Sequence, residues 1–575
     1  MKLSDKINTF VSRHFFLLMA SAFVIALLLR FVRLGTPSLT DMEAERALQA
    51  LSLVRGESTS VGGQPGYIGL TSLLFLIFEP SSFTARFLPA LIGALLALVP
   101  RFYRRQFKDL TCVLLAFLAA FEPGLVALSR NADGTIITIT CLLAAIGFVL
   151  SKKFIPAGIT LGLAIIGSEQ FLALSITLLL AWILTFSSSG KKVDGWFKDL
   201  ISDLEHHWWK LMIAAALTAL LVSSAFFLYP QGISGIGSTI TDYFREWNSG
   251  SKMPLSTFAS VMLVTQFPAI VIALWGLLNG LIVKSRAARF LGLWWLISLT
   301  LGLLNPSHNG LTLGLVNLPI FILAALQINS LMDGIEIPSS IVSLIEGVIT
   351  ISLLLFSALN FLNLVNYPPA DGMMLRNRII GIFLPLALWA AFSMLLAWGW
   401  DSISTRSGLL IGLGLMAGAI LIGAGWKSAG LGYYPQNEFQ VSSAYVTGAN
   451  GILQTTNDVA RWNSGMATRI DVDLAGLESP SIRWVFRDFE KVTQNPVFLL
   501  TNSPSIVVST PEAILQTQNL YRGQPIVWSV QPDYAQMTWR DWVKWFFLRQ
   551  VPKDKETVIL WVRNDLFKGG AAQIQ

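Results

Sequence analysis

The run Phe15-Phe16-Leu17-Leu18-Met19-Ala20 through Ala26-Leu27-Leu28-Leu29-Arg30-Phe31-Val32 decides the fold, together with two motifs just after it, Arg33-Leu34-Gly35 and Asp41-Met42-Glu43-Ala44. As a helix, the apolar run is long enough to cross the hydrocarbon core of a bilayer. No small-residue cleavage site comes after it, so it reads as a first membrane helix and not as a signal peptide. The acidic motif then puts carboxylates where the chain leaves the membrane. A second acidic stretch, Arg130-Asn131-Ala132-Asp133, holds the same place after the third apolar span.

Composition extends this reading to the whole chain. The 575 residues are 53% hydrophobic and 13% charged, against about 25% charged in soluble domains. Long apolar runs fill residues 1–426, while 427–575 have an ordinary composition, so a polytopic membrane domain is expected to precede a soluble one. The net charge of +7 does not indicate nucleic-acid binding, because the basic residues sit in short loops between apolar spans. Cys112 and Cys141 fall inside spans and read as small core residues. The four histidines show no metal-ligand spacing, and His206-His207 reads as part of an interfacial, Trp-rich loop.

Thirteen spans are expected, starting near Phe15, Phe87, Leu110, Gly134, Phe154, Phe171, Leu211, Phe258, Phe290, Leu311, Ile341, Ile379 and Gly408. Lys2, Lys6, Arg13, Arg101, Arg104, Arg105, Lys108, Lys152, Lys153, Lys191, Lys192, Lys198, Lys284, Arg286, Arg289 and Arg406 then share one side. The positive-inside rule makes that side cytoplasmic, with the N-terminus inside and residues 427–575 outside. Tyr67 to Glu79 is apolar but too short to cross. It reads as a juxtamembrane or re-entrant helix in a long first outer loop, residues 35–84. Asp41 to Gly56 reads as an amphipathic helix in that loop, with Gly56 as its stop. In 427–575, residues 496–500, 505–508, 525–528 and 557–561 read as strands, and 511–516 and 539–549 as helices, giving an α/β domain.

On this topology Asp41, Glu43 and Asp133 meet at the outer face. Carboxylates there can take a proton from an acceptor hydroxyl, hold a divalent cation against a phosphate leaving group, or cap helices. Asp41 and Asp133 both stand where a helix N-cap would be. Cations on the same side are Arg30, Arg33, Arg130, Arg245, Lys252, Arg376 and Arg378, and His308 lies in an outer loop. Any one arginine can simply snorkel. Together they can hold the phosphate of a lipid-linked donor. Glu122 and Glu169, near outer helix ends, can reach the same cavity. Glu346, inside the eleventh span, receives no catalytic role.

Laid out this way, the chain resembles the GT-C glycosyltransferases, which include protein O-mannosyltransferases, lipid A aminoarabinose transferases and oligosaccharyltransferase catalytic subunits. The resemblance rests on Arg33-Leu34-Gly35 with Asp41-Met42-Glu43-Ala44, on Gln64-Pro65-Gly66-Tyr67, on Arg86-Phe87-Leu88-Pro89-Ala90-Leu91-Ile92-Gly93, and on Ser129-Arg130 to Asp133. It covers about the first 150 residues. It implies an inverting hexosyl- or pentosyltransferase that moves a sugar from a polyprenyl-phosphate donor to an extracytoplasmic protein, lipid or glycan. Asp41, Glu43 and Asp133 would be catalytic, and Arg33, Arg130, His308 and Arg376 would bind the donor phosphate. Asp41 and Asp133 would hold any divalent cation, Mg or Mn.

The chain departs from the family in two places. Its adjacent Asp-Glu is here Asp41-Met42-Glu43, and its His-Pro-Pro or Lys-Pro-Pro is Gln64-Pro65-Gly66. The Trp-Trp-Asp-Tyr-Gly motif of oligosaccharyltransferases is absent. Two other readings are a catalytically silent scaffold or accessory subunit of glycan assembly, and a lipid-linked sugar flippase. The location expected is the plasma membrane.

Overall fold

The computed structural model describes residues 3–57, 61–187, 195–248, 253–307, 310–333, 339–439, 444–495, 503–513 and 520–567. The protein is a multi-pass, α-helical membrane protein with a C-terminal sheet domain. Every expected span start lies inside a helix or next to one. Among the described residues, six helices are long and apolar enough to cross a bilayer, or eight if each bent pair is one span. Pro65–Ile77, Thr135–Leu150, Phe154–Gly167 and Gln170–Phe186 are shorter apolar helices.

Residues 35–84 fold as their sequence indicates. Asp41–Val54 is a helix, and Gly56 after it takes a positive φ of 70°, which glycine adopts without strain. Pro65–Ile77 is a second helix opened by proline. Its length, about 20 Å at 1.5 Å per residue, falls short of the hydrocarbon core. The His206-His207 segment is not a loop. It continues the helix Gly195–Ser223, and the His207 ring stacks on Phe154 at 5.3 Å.

A break at Glu122 accounts for the buried Arg30. Helices Asp109–Phe121 and Pro123–Ser129 meet at 58°, because Pro123 cannot donate an amide hydrogen and the ladder stops before it. Carbonyls freed at the bend need donors. Arg30 supplies these: its guanidinium bonds Ala119 O at 2.9 Å, Ala120 O at 3.3 Å and Ser129 Oγ at 3.0 Å. Arg30 therefore does not snorkel. The Glu122 carboxylate caps Leu125 N and accepts from Gln266 Nε2 at 2.6 Å, so it belongs to the bend and to no outer cavity.

The C-terminal sheet has six strands: β1 (Tyr445–Val446), β2 (Asp471–Ala475), β3 (Lys491–Asn495), β4 (Ile506–Ser509), β5 (Tyr521–Pro532) and β6 (Lys553–Arg563). Their order is β1-β5-β6-β4-β2-β3. β2 pairs in parallel with β3 and β4, and the other pairings are antiparallel. Residues 505–508, 525–528 and 557–561 fall on β4, β5 and β6, and 539–549 on helix Trp539–Leu548. Residues 496–500, expected as a strand, lie outside the described residues, as do 514–516. Residues 511–513 form a turn instead of a helix start. β2 and β3 carry Asp471, Asp473 and Lys491, whose charges hid them from a search for apolar runs.

Candidate active site

Helix Asp41–Val54 opens with a capping box. Thr40 is the N-cap and Glu43, at the third position, returns a bond to Thr40 N at 3.0 Å. The cap is thus one residue earlier than the sequence indicated, and Asp41 is the first helical residue. Glu43 is 3% exposed. Arg86 grips it with Nε to Oε1 and Nη2 to Oε2, both at 2.7 Å, and Ala132 N donates to Oε1 at 2.9 Å. The remaining Arg86 hydrogens go to Leu34 O, Pro37 O and Ser38 O. Burial opposes the Glu43 charge, yet the Arg86 charge and these bonds outweigh it and hold its pKa below the ordinary value. The acidic motif and the arginine of Arg86-Phe87-Leu88-Pro89 are thereby one closed ion pair.

Asp41 turns the other way. Its Oδ1 accepts from Ser479 Oγ and Ser481 Oγ at 2.6 Å each and from Ser481 N at 3.0 Å. It caps helix Pro480–Val485 of the C-terminal domain. Around this contact Arg55 bonds Arg487 O at 2.7 Å, Arg487 bonds Pro80 O at 3.0 Å, and Trp484 packs 6.0 Å from Phe75. The outer loop and the sheet domain meet through these residues.

Asp133, 2% exposed, sits one residue past the Glu43 contact. Its Oδ2 pairs with Arg46 Nη1 at 2.9 Å and accepts from Gln64 Nε2 at 3.1 Å, and its Oδ1 accepts from Thr135 N at 2.6 Å. The same Gln64 amide reaches both oxygens of Glu169, at 3.2 and 3.3 Å, while Gln64 Oε1 accepts from Gly134 N at 2.9 Å. Arg46 Nη2 stands 4.0 Å from Glu169 Oε1. The next residue, Gln170, donates to Glu246 Oε2 at 2.9 Å. Gly66 in this loop has no room for a side chain, since a Cβ would lie 2.7 Å from Ile166 Cγ1 and 2.8 Å from Ile166 O.

Two carboxylates thus share one guanidinium, a third stands alongside through Gln170, and their proton affinities diverge. Burial disfavours the Asp133 charge, but Arg46 and the Thr135 and Gln64 bonds prevail and lower its pKa. For Glu169, burial prevails over the pull of Arg46 and the Asp133 charge adds to it, so its pKa is raised. Glu246 is pushed up to about 7, by burial first and then by the Glu169 charge. Neighbouring acids held apart in this way are the arrangement that divides a base from an ionised partner.

Of the sequence-derived set, Glu43 and Asp133 come together through Ala132, whereas Asp41 and Asp133 share no described contact. Arg130 donates to Leu29 O, Arg30 O and Val32 O at 2.9–3.0 Å, closing the C-terminus of helix Phe15–Phe31. Arg33 beside it is exposed, with φ 53°. Arg376 is exposed on Gly372–Leu396. His308 lies outside the described residues. No group of three His, Cys, Asp or Glu residues among the described ones is arranged to hold a metal ion. The Asp133 oxygens face N–H donors and a guanidinium, and Asp41 Oδ1 faces two serines, a donor set that does not fit a divalent cation.

One crevice adjoins the cluster through Gln170, and a separate cavity lies toward the basic loops at the other end of the bundle. The crevice, of about 40 Å³, is lined by Gln170, Thr177, Tyr243, Ser298 and Asn305 among others. The larger cavity of about 250 Å³, lined by residues such as Leu96, Val99, Leu143, Trp294 and Phe321, is almost wholly apolar. Trp294 Nε1, in the lining of the larger cavity, donates to Thr177 Oγ1, in the lining of the crevice, at 3.3 Å.

No family profile and no curated protein matches the chain in sequence. Its fold is nonetheless shared. The crystal structure of ArnT from Cupriavidus metallidurans bound to undecaprenyl phosphate superposes with a TM-score of 0.53 at 13% identity, covering 96% of this chain and 99% of that one. The apo structure of the same protein gives 0.50 at 13% identity, over 86% and 93%. At such identity the likeness concerns the fold, which is GT-C-like across both the membrane and the sheet domain.

Proposed function

We propose that the protein is a GT-C-type glycosyltransferase of the plasma membrane that uses a polyprenyl-phosphate-linked sugar and an extracytoplasmic acceptor. The observation that carries this reading is the partly buried cluster in which Asp133 and Glu169 share Arg46 and Gln64 and Gln170 brings Glu246 alongside, on the sheet-domain side of a GT-C-like fold. The basic loops at the opposite end favour an N-terminus inside and a sheet domain outside. The undecaprenyl phosphate held by ArnT supports a donor with a long hydrocarbon chain.

In this reading an acceptor hydroxyl attacks the anomeric carbon while the bond to the phosphate oxygen breaks, with inversion. Glu169 or Glu246 takes the hydroxyl proton, since a base works best with a pKa near the operating pH. Asp133 fixes Arg46 and Gln64 in place. Arg33 meets the departing phosphate, because Arg130 and Arg86 are committed to backbone carbonyls and to Glu43. No step runs through a metal ion.

A second reading has its own observation. Both acids of Asp41-Met42-Glu43 are engaged in structural bonds, as expected of a scaffold that keeps the fold without the chemistry. One assay separates the two: donor consumption by the purified protein in lipid, over a panel of polyprenyl-phosphate sugars, for wild type, Asp133→Asn, Glu169→Gln and Asp41→Asn. Turnover lowered by about a hundredfold or more in the first two changes is expected. A folded wild type that binds the lipid phosphate and turns over no donor establishes the scaffold.

A further inference from the structure

Helices Ser340–Asn366, Gly372–Leu396 and Ser402–Trp426 form a group in which the first packs against both others. Glu346 lies within the first, about 9 Å along the helix from its start at 1.5 Å per residue, and is completely buried. Its Oε1 accepts from Ser393 Oγ at 2.7 Å and Thr350 Oγ1 at 3.1 Å. Thr350 Oγ1 accepts in turn from Trp389 Nε1 at 3.1 Å. Its Oε2 is buried without a hydrogen-bond partner.

The charged groups on the surrounding elements leave Glu346 uncompensated. Asp401 caps Ser402–Trp426 through Ile403 N and Ser404 N. Arg406 and Arg376 are exposed, and Arg378 bonds Asn363 O at the far end of the group. On helix Trp539–Leu548, which also packs on Ser340–Asn366, Asp541 bonds Thr538, while Arg540 reaches Trp539 and Lys544 makes no described contact with Glu346. No ion pair to Glu346 occurs among the described residues. On the side facing Ser402–Trp426 there is no space to relieve it, because a Cβ at Gly408 would lie 2.8 Å from Glu346 Cβ and 2.3 Å from Ser343 O. The carboxylate therefore addresses the seam with Gly372–Leu396, where two hydroxyls converge on it. An intramembrane acid without a countercharge marks a site for an ion.

We propose that Glu346, Ser393 and Thr350 bind one monovalent metal cation, Na⁺, in the membrane. The cation would lie against the unpartnered Oε2. Ser393 can turn an oxygen lone pair to it, since the serine hydrogen has a second acceptor in Trp389 O at 2.9 Å. This site is independent of the outer cluster and of the sugar chemistry proposed for it.

The test is labelling of the full-length protein in lipid by dicyclohexylcarbodiimide, which attacks protonated carboxyls inside membranes, with the adduct located by peptide mass spectrometry. Glu346 is expected to be labelled in Na⁺-free buffer and the label to be absent in Glu346→Gln. At fixed pH, Na⁺ at ten times its dissociation constant should cut the rate roughly tenfold by mass action, and K⁺ should not. Ser393→Ala, which barely alters packing, should raise the Na⁺ concentration needed for half protection. A labelling rate indifferent to Na⁺, or a protection that Ser393→Ala leaves unmoved, overturns the proposal and makes Glu346 a fixed strut between helices.

Discussion

Glu43 and Asp133 are neighbours in space, joined through Ala132, whose amide donates to Glu43, and are almost equally buried, yet their situations are opposite. Glu43 has a dedicated arginine, two capping bonds and a backbone amide, so each of its oxygens is saturated. Asp133 shares its arginine and its glutamine with Glu169, and Glu246 stands beyond them. The first region balances its charges, and the second holds more acid than base. A balanced buried pair serves structure. A surplus of acids forces protons to be shared, and shared protons can be moved.

The largest effect should come from opening the balanced pair. Arg86→Met leaves Glu43 buried and uncompensated, which costs about 3–5 kcal/mol for a pair of this kind. Denaturant unfolding in detergent should show the loss directly. Unchanged unfolding would mean that the pair does not hold the loop to the bundle. In the surplus region the order reverses: Glu169→Gln should lower sugar transfer about a hundredfold, the low end of what a positioned acid or base contributes, with little change in unfolding. A stability loss rivalling that of Arg86→Met would erase the distinction.

The two regions should also respond to pH with opposite signs. Glu43 has a lowered pKa in the fold, so its contribution is present above the ordinary carboxylate range and is lost as pH falls. Glu246 is raised from 4.5 to about 7. Its contribution is full below 4.5 and is lost as pH rises through about 7. Glu246→Gln should therefore flatten the stability profile between those values and leave the acid limb intact. If Glu246 is the base, transfer by the wild type should rise through about pH 7, and Glu246→Gln should remove that rise.

The sequence disclosed this division only in part. Periodicity and length located the helices, and the positions of Asp41, Glu43 and Asp133 after apolar spans marked the end of the bundle at which Glu43 and Asp133 meet. Gln64 and Arg86 stood in quoted motifs without an assigned partner, and the contacts across the loop supply one for each. Arg46 was missed, although it lies three residues after Glu43 on the same helical face, where an arginine next to the buried stripe of Ala47, Ala50 and Leu51 should have signalled a buried acid nearby. Glu246 could not be found this way. It comes from Ser234–Asn248, a helix brought to the cluster by tertiary packing alone.

The smallest effect concerns Asp41, whose position in an acidic motif points to chemistry while its bonds point to assembly. Asp41→Asn keeps an acceptor oxygen but removes the charge at the start of helix Pro480–Val485, and Asp41→Ala removes the cap. Loss of a cap costs about 1 kcal/mol, which makes local opening roughly fivefold more frequent. Limited proteolysis at the junction of the outer loop and the sheet domain should accelerate by that factor in Asp41→Ala and less in Asp41→Asn, and Ser481→Ala should resemble Asp41→Asn. An Asp41→Asn protein that keeps its junction closed but transfers no sugar would reverse the assignment: Asp41 would then act on substrate, and the balanced region would extend into the site.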